Sequence, residues 1–203
     1  MEVATAGPPL AEARGAVILT HGRGGSAADM LALAGAFDRP QFHYVAPQTP
    51  GNTWYPYSFL APIESNEPHL SHALATVGAI VDDVELAGVG GDRIVLGGFS
   101  QGACLALEFA ARHARRYGGV IGLSGGLIGP EGTPRDYEGS LDGTPVFLGC
   151  SDVDPHVPEW RLRETADVMT RLGADVTLRI YPGMGHTVNP DEIEHVRALL
   201  DRL

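Results

Sequence analysis

Cysteine is nearly absent. The 203 residues contain two, too few for a disulfide framework, and Cys104 falls among alanines and leucines of a helical pattern, the ordinary setting of a small buried thiol. A reducing cytoplasm is the expected location. No apolar run is long enough to cross a bilayer, and the opening "MEVATAGPPLAEARG" has neither a basic segment nor an apolar stretch, so it does not read as a secretory signal. Basic residues are scarce too: 14 Lys+Arg against 25 Asp+Glu give a formal net charge of -11. That charge repels nucleic-acid phosphates and anionic membrane surfaces, and nothing larger than Ala114-Arg115-Arg116-Tyr117 interrupts it. No His, Cys, Asp or Glu spacing matches a metal site. The expectations are therefore no cofactor, no metal, no nucleic acid and no membrane, with a surface compatible with a monomer or a homodimer. Repeats, low-complexity tracts and interdomain linkers are missing as well, so residues 1–203 are read as one domain, with 1–14 an irregular N-terminal segment.

What is present is an alternation. "GAVILT" from Gly15, "FHYVAP" from Phe42, "DRIVLGG" from Asp92, "GGVIGLS" from Gly118, "TPVFLGC" from Thr144 and "DVTLRIY" from Asp175 are strand-like. Between and after them, helical spacing covers 27–36, 69–87, 101–115, 158–172 and 191–203. Such an order predicts an α/β fold: βαβ units, a mainly parallel central sheet and helices on both faces. One connection is unusual. Residues 48–68, "QTPGNTWYPYSFLAPIESNEP", are rich in proline and aromatics without a sustained period; a loop of that length either lines a binding site or plugs the edge of the core.

The pattern G-x-S-x-G occurs twice, at Gly98-Phe99-Ser100-Gln101-Gly102 and at Gly122-Leu123-Ser124-Gly125-Gly126. Context separates them. An elbow serine needs a strand that stops abruptly, small neighbours and a helix directly behind it. "RIVLGG" and "QGACLALEFAARHA" supply these around Ser100, whereas "GGLIGPEGTP" after Ser124 cannot continue as a helix. The helix behind Ser100 also turns its free N–H groups and positive dipole end toward charge developing beside the serine.

A serine hydroxyl needs a base and an orienting carboxylate, in the order Ser, Asp, His. "SDVDPHVP" follows one strand and "PGMGHTV" follows the next, each just past a strand's C-terminal end, where open α/β sheets bind ligands. Asp154 and His186 are the candidates. Asp154 is preferred to Asp152 because Asp154-Pro155 starts the turn toward the next helix. His195 lies in a helical pattern, His156 is too near Asp154 in sequence, and His21, His43, His69, His72 and His113 precede the carboxylate. "THGRGG" lies between a strand and a helix, where a second backbone donor is expected, so the N–H groups of Arg23 and Gln101 form the expected oxyanion hole.

Together, "THGRGG", "GGFSQGA", "CSDVDPHVP" and "GMGHTV" resemble the phospholipase/carboxylesterase family of α/β-hydrolases, which includes acyl-protein thioesterases and small bacterial carboxylesterases. The resemblance implies an α/β-hydrolase fold without a large cap domain, Ser100 as nucleophile, His186 as base, Asp154 as its partner, and Arg23 and Gln101 as oxyanion donors. It further implies that Trp54-Tyr55 is the aromatic pair beside the acyl pocket. Two departures stand out: Gly149-Cys150 where the family often has His-Gly, and Pro56 where an Asp often follows the aromatic pair. Both fall near substrate-facing loops, so they bear on acyl-chain and leaving-group preference. The expected activity is a serine carboxylesterase acting on small soluble esters through an acyl-enzyme, in a shallow pocket walled by Trp54, Tyr55, Leu127 and Val157. A thioesterase or lactone hydrolase shares the same machinery, and a non-catalytic binding homologue is the remaining alternative.

Overall fold

Side chains along a strand point alternately to opposite faces, and the strands of this chain use both. In the computed structural model, which describes residues 2–203, β1 (Glu2–Ala6), β2 (Ala16–Thr20), β3 (His43–Gln48), β4 (Ile94–Phe99), β5 (Gly119–Leu123), β6 (Pro145–Ser151) and β7 (Asp175–Tyr181) form one seven-stranded sheet in the order β1-β3-β2-β4-β5-β6-β7. All neighbours are parallel except β1 with β3. Ile18, Leu96, Val120 and Leu148 face the helices α2 (His69–Leu86), α3 (Gln101–Arg112) and α4 (Glu159–Arg171). Val17, Val95, Ile121 and Phe147 face α1 (Ala27–Phe37) and α5 (Pro190–Asp201). This is the α/β-hydrolase arrangement, with no large cap over the sheet among the described residues.

The N-terminal segment corrects the reading of 1–14 as irregular. Glu2–Ala6 is a strand, registered from Glu2 against Gln48 to Ala6 against Tyr44. It lies at the sheet edge and is largely exposed, so backbone hydrogen bonds hold it and its sequence carries no burial pattern to read. Helix α3 stops at Arg112, before the expected 115, where His113 leaves helical geometry at φ -119 and its ring rests 4.5 Å from that of Phe109. The long connection after β5 is pinned by charge: the buried Glu108 carboxylate accepts from Ile128 N–H (3.0 Å), and Arg161, fully buried, donates to Gly129 O (2.7 Å).

Packing is closest where β4 meets α3. The Thr20 hydroxyl lies within hydrogen-bond distance of two carbonyls that share its one proton, Gly97 O (3.0 Å) and Gly102 O (2.8 Å), joining the end of β2 to the start of α3. A Cβ added at Gly98 would lie 2.5 Å from the Gly102 carbonyl carbon and 2.6 Å from Thr20 O, and one at Gly102 would collide with Thr20 O. Only backbone without a side chain fits there. Gly98→Ala is therefore expected to destabilise the fold by about 1–3 kcal/mol or more, measured by urea unfolding; an unchanged midpoint would refute this account of the packing.

Helix α5 starts with a reciprocal cap: Glu192 N–H donates to Asn189 Oδ1 (3.0 Å), and Asn189 N–H donates to Glu192 Oε2 (2.8 Å). Glu192 is completely buried, and its Oε1, close against Gly149, has no hydrogen-bond partner. Burial raises its pKa from 4.5 to about 7, against the opposing bond from Asn189. The folded state thus holds this proton more tightly than the unfolded chain does, so stability falls as pH rises from 4.5 to about 7 and then levels off. Glu192→Gln keeps an oxygen for the cap and cannot ionise. It should gain on the wild type as pH rises from about 4.5 to 8, by on the order of 3 kcal/mol, in urea unfolding at both pH values. Equal pH dependence in the two proteins would show that Glu192 does not titrate in this window.

Candidate active site

Ser100 sits between β4 and α3 at φ 55 and ψ -119, a conformation that a non-glycine residue adopts only when its surroundings impose it. Its N–H is tied to Leu123 O at 2.9 Å. The sharp turn lifts the side chain away from the strand, and Ser100 Oγ meets His186 Nε2 at 2.8 Å. His186 lies in the loop between β7 and α5, and the β6 end fixes that loop: Gly183 N–H donates to Asp152 Oδ1 (2.8 Å) and Gly185 N–H to Ser151 Oγ (3.2 Å). On its other side, His186 Nδ1 meets Asp154 Oδ2 at 2.7 Å. The Asp154 side chain is fully buried, and Oδ1 accepts from the N–H groups of His156 (2.8 Å) and Val157 (3.0 Å). Burial by itself would raise the Asp154 pKa, but the bonds from His186, His156 and Val157 outweigh it and hold the carboxyl below its ordinary range.

The three side chains expected from sequence are thus joined in one hydrogen-bonded path, and the rivals lie elsewhere. Asp152 ties down the His186 loop. Ser124 is fully buried with its N–H on Gly149 O (2.7 Å). His195 stacks on Phe147 at 4.8 Å. His21 is buried, with Nδ1 on Gly22 O (2.8 Å), and desolvation lowers its pKa.

The Arg23 loop lies directly against the serine, since a Cβ at Gly22 would come within 3.3 Å of Ser100 Cβ. Neither the Arg23 nor the Gln101 N–H is taken by a backbone acceptor outside the regular elements, among the described residues. A cavity of about 720 Å³ opens over this floor, with Gly22, Arg23, Ser100, Gln101 and His186 in its lining. Of the four expected wall residues, Tyr55 and Val157 line it. Trp54 and Leu127 do not, and both are corrections. Trp54 turns inward, donating from Nε1 to His21 O (2.8 Å) with its ring 5.0 Å from the His21 ring. Leu127 is wholly inside the core, its N–H on Thr165 Oγ1 (3.0 Å). The wall instead includes Tyr57, Phe59, Phe99, Cys104 and His156. The length and aromatic content of 48–68 pointed to that loop without showing which of its side chains turn in. His156 was set aside as a base and contributes as a wall, its ring edge-on to His186 at 4.8 Å.

A second hollow of about 990 Å³ lies between α2 and α3, far from this chemistry. Its arginines are already paired, Arg112 with Glu108 (2.7 Å) and Arg115 with Glu85 (2.9 Å). Among the described residues, no group of three or more His, Cys, Asp or Glu is placed to hold a metal ion. No helix among them is long and apolar enough to cross a membrane.

Comparison with known proteins agrees with the fold. The structure of a phospholipase/carboxylesterase from Dyadobacter fermentans is 43% identical, covers 98% of this chain and 95% of its own, and superposes with a TM-score of 0.94. An acyl-protein thioesterase 1 from Gibberella zeae is 38% identical over 117 residues, which span 56% of this chain and about half (49%) of the relative. The Emericella nidulans acyl-protein thioesterase 1 is 28% identical across 97% of this chain and 93% of its own length. The phospholipase/carboxylesterase family matches residues 2–203, and the chain belongs to that family.

Proposed function

We propose that this protein is a serine carboxylesterase that hydrolyses small soluble carboxylic esters through an acyl-enzyme. The observation that carries the reading is the unbroken path from Asp154 through His186 to Ser100 on the floor of an open cavity. Neutral His186 takes the Ser100 proton as Oγ attacks the ester carbonyl carbon. The carbonyl oxygen becomes an oxyanion and accepts from the N–H groups of Arg23 and Gln101, the latter at the N-terminus of α3, where unpaired N–H groups and the helix dipole favour negative charge. Collapse of the intermediate expels the alcohol, which receives the proton from His186. Water, deprotonated by the same imidazole, then releases the acid and restores Ser100. Throughout, Asp154 orients the ring and stabilises its cation.

A second reading has its own support. Relatives named acyl-protein thioesterase 1 match this chain, and an acyl thioester differs from an ester only in its leaving group. Both readings use the same residues.

Aryl esters of graded acyl length, acyl thioesters, lactones and an emulsified long-chain triglyceride, assayed in parallel, separate these substrate classes. The proposal expects short soluble esters to lead and the triglyceride to trail; a leading triglyceride would overturn the small-ester reading. Ser100→Ala and His186→Ala should each lose at least about 10⁴-fold in kcat, and an active Ser100→Ala would refute the assignment. A general base must be uncharged to accept the serine proton, so kcat/KM should fall in acid with a slope of one proton. Because Asp154 is held below the ordinary carboxylate range, it stays ionised through that fall and adds no second step. A profile flat from about pH 8 to about pH 5 contradicts a histidine base.

A further inference from the structure

The two residues whose N–H groups are assigned to the oxyanion also reach the pocket wall with their side chains. Arg23 donates from Nη1 to Pro56 O (2.9 Å) and from Nη2 to Tyr55 O (3.0 Å) and Tyr57 O (2.7 Å). From the opposite side, Gln101 Oε1 accepts from Trp54 N–H (3.0 Å) and Nε2 donates to Tyr55 O (2.8 Å). Each residue from Trp54 to Tyr57 therefore has one backbone N–H or C=O bonded by one of these two side chains.

This segment cannot hold itself. It belongs to neither a helix nor a strand, and Pro56 has no N–H to donate. At its end, Asn66 accepts from Tyr57 N–H (2.9 Å) and donates to Ser58 O (3.0 Å). The Arg23 loop is itself fixed, with Gly24 N–H on Asn52 O (2.7 Å) and Gly25 N–H on Gly22 O (3.0 Å). Arg23 thus adds three side-chain bonds between two loops that Gly24 N–H and Trp54 Nε1 also join, and all its acceptors here are backbone carbonyls. Its planar fork can satisfy three converging carbonyls at once, which the single ammonium of lysine cannot do in the same geometry. What the fork holds in place is the wall carrying Tyr55, Tyr57 and Phe59.

We propose that the Arg23 guanidinium is a positioning residue that fixes the width of the acyl pocket and so sets acyl-chain selectivity, while its N–H serves the oxyanion. The inference rests on the esterase reading. Without the fork, segment 54–57 moves outward, the wall contacts to a short acyl group weaken, and longer chains are admitted.

The test uses Arg23→Met, which keeps an apolar stem and the N–H but has no donor, and Arg23→Lys, which keeps the charge but not the fork. Arg23 is exposed, so neither variant leaves a buried charge unpaired, and circular dichroism checks the fold of each. In Arg23→Met, kcat/KM for a butyrate aryl ester should fall about tenfold, mostly through KM, while that for the decanoate ester falls less or rises. Arg23→Lys should not restore the wild-type ratio. An independent readout comes from Trp54, buried at 4% exposure, in a Trp160→Phe background that removes the 43% exposed tryptophan. Acrylamide should quench Trp54 more strongly once Arg23 is replaced. An unchanged chain-length ratio, an equal loss on all esters, full restoration by lysine, or unchanged quenching would each overturn the proposal. Failure of the underlying reading looks different: the wild type itself would then be inactive on every ester and thioester.

Discussion

A serine held at φ 55 and ψ -119 persists only where its neighbours leave it no other conformation, and the proposed chemistry rests on that constraint. The contacts that impose it are backbone against backbone. Gly98 and Gly102 face the end of β2 with no room for a side chain, Thr20 grips both the β4 and α3 chains through one hydroxyl, and Ser100 N–H is held by the end of β5. Three parallel strands therefore share in orienting one Oγ. The same approach brings the loop after β2 against the serine, so the turn that exposes the proposed nucleophile also sets the distance to the Arg23 N–H. Relaxing the turn would disturb both.

Most of this was legible in the sequence, because it depends on features that leave a local trace. Strand, small residue, serine, small residue and helix appear in order around Ser100, and Asp154 and His186 fall just after strands whose apolar runs are plain. Parallel connectivity then carries all three to the C-terminal ends of the strands. Other assignments failed where the deciding fact is a direction in space. Trp54 and Tyr55 are adjacent and both are buried, yet Trp54 packs against His21 while Tyr55 borders the cavity, and in a loop without a period no pattern tells them apart. Leu127 follows a strand end much as Val157 precedes α4, but it is drawn inward by a bond to Thr165. Strand β1 was illegible for a different reason. An exposed edge strand is held by its backbone, and "EVATA" has no buried face to announce it.

Arg23 and Gln101 show how a short loop can be kept rigid without regular structure. Each gives its backbone to one task and its side chain to another. An amide side chain is the natural partner for one peptide N–H and one carbonyl together, and a guanidinium for several carbonyls. A sequence motif records that glutamine follows the serine, but the recipient of its bonds, Trp54 and Tyr55, lies more than forty residues earlier in the chain. Reading Arg23 as a backbone donor alone missed the bonds its side chain makes for the same reason.

The Gly149-Cys150 departure can be examined on the same terms. Cys150 is buried beside the acid, and its Sγ lies 3.4 Å from Asp154 Oδ2, the oxygen that also receives His186. Burial, reinforced by the nearby Asp154 charge, pushes the thiol up to about 12, so it remains a neutral S–H that can point a weak donor at the carboxylate. A thiolate there would repel Asp154. The two N–H groups of His156 and Val157 occupy the other oxygen, leaving His186 and the thiol to share Oδ2. The carboxylate is thus hydrogen-bonded on both oxygens, and its freedom to rotate away from the imidazole is removed by local backbone alone. Cysteine at this position adds a donor without displacing one, which is why the substitution is compatible with the geometry that the proposed reaction requires.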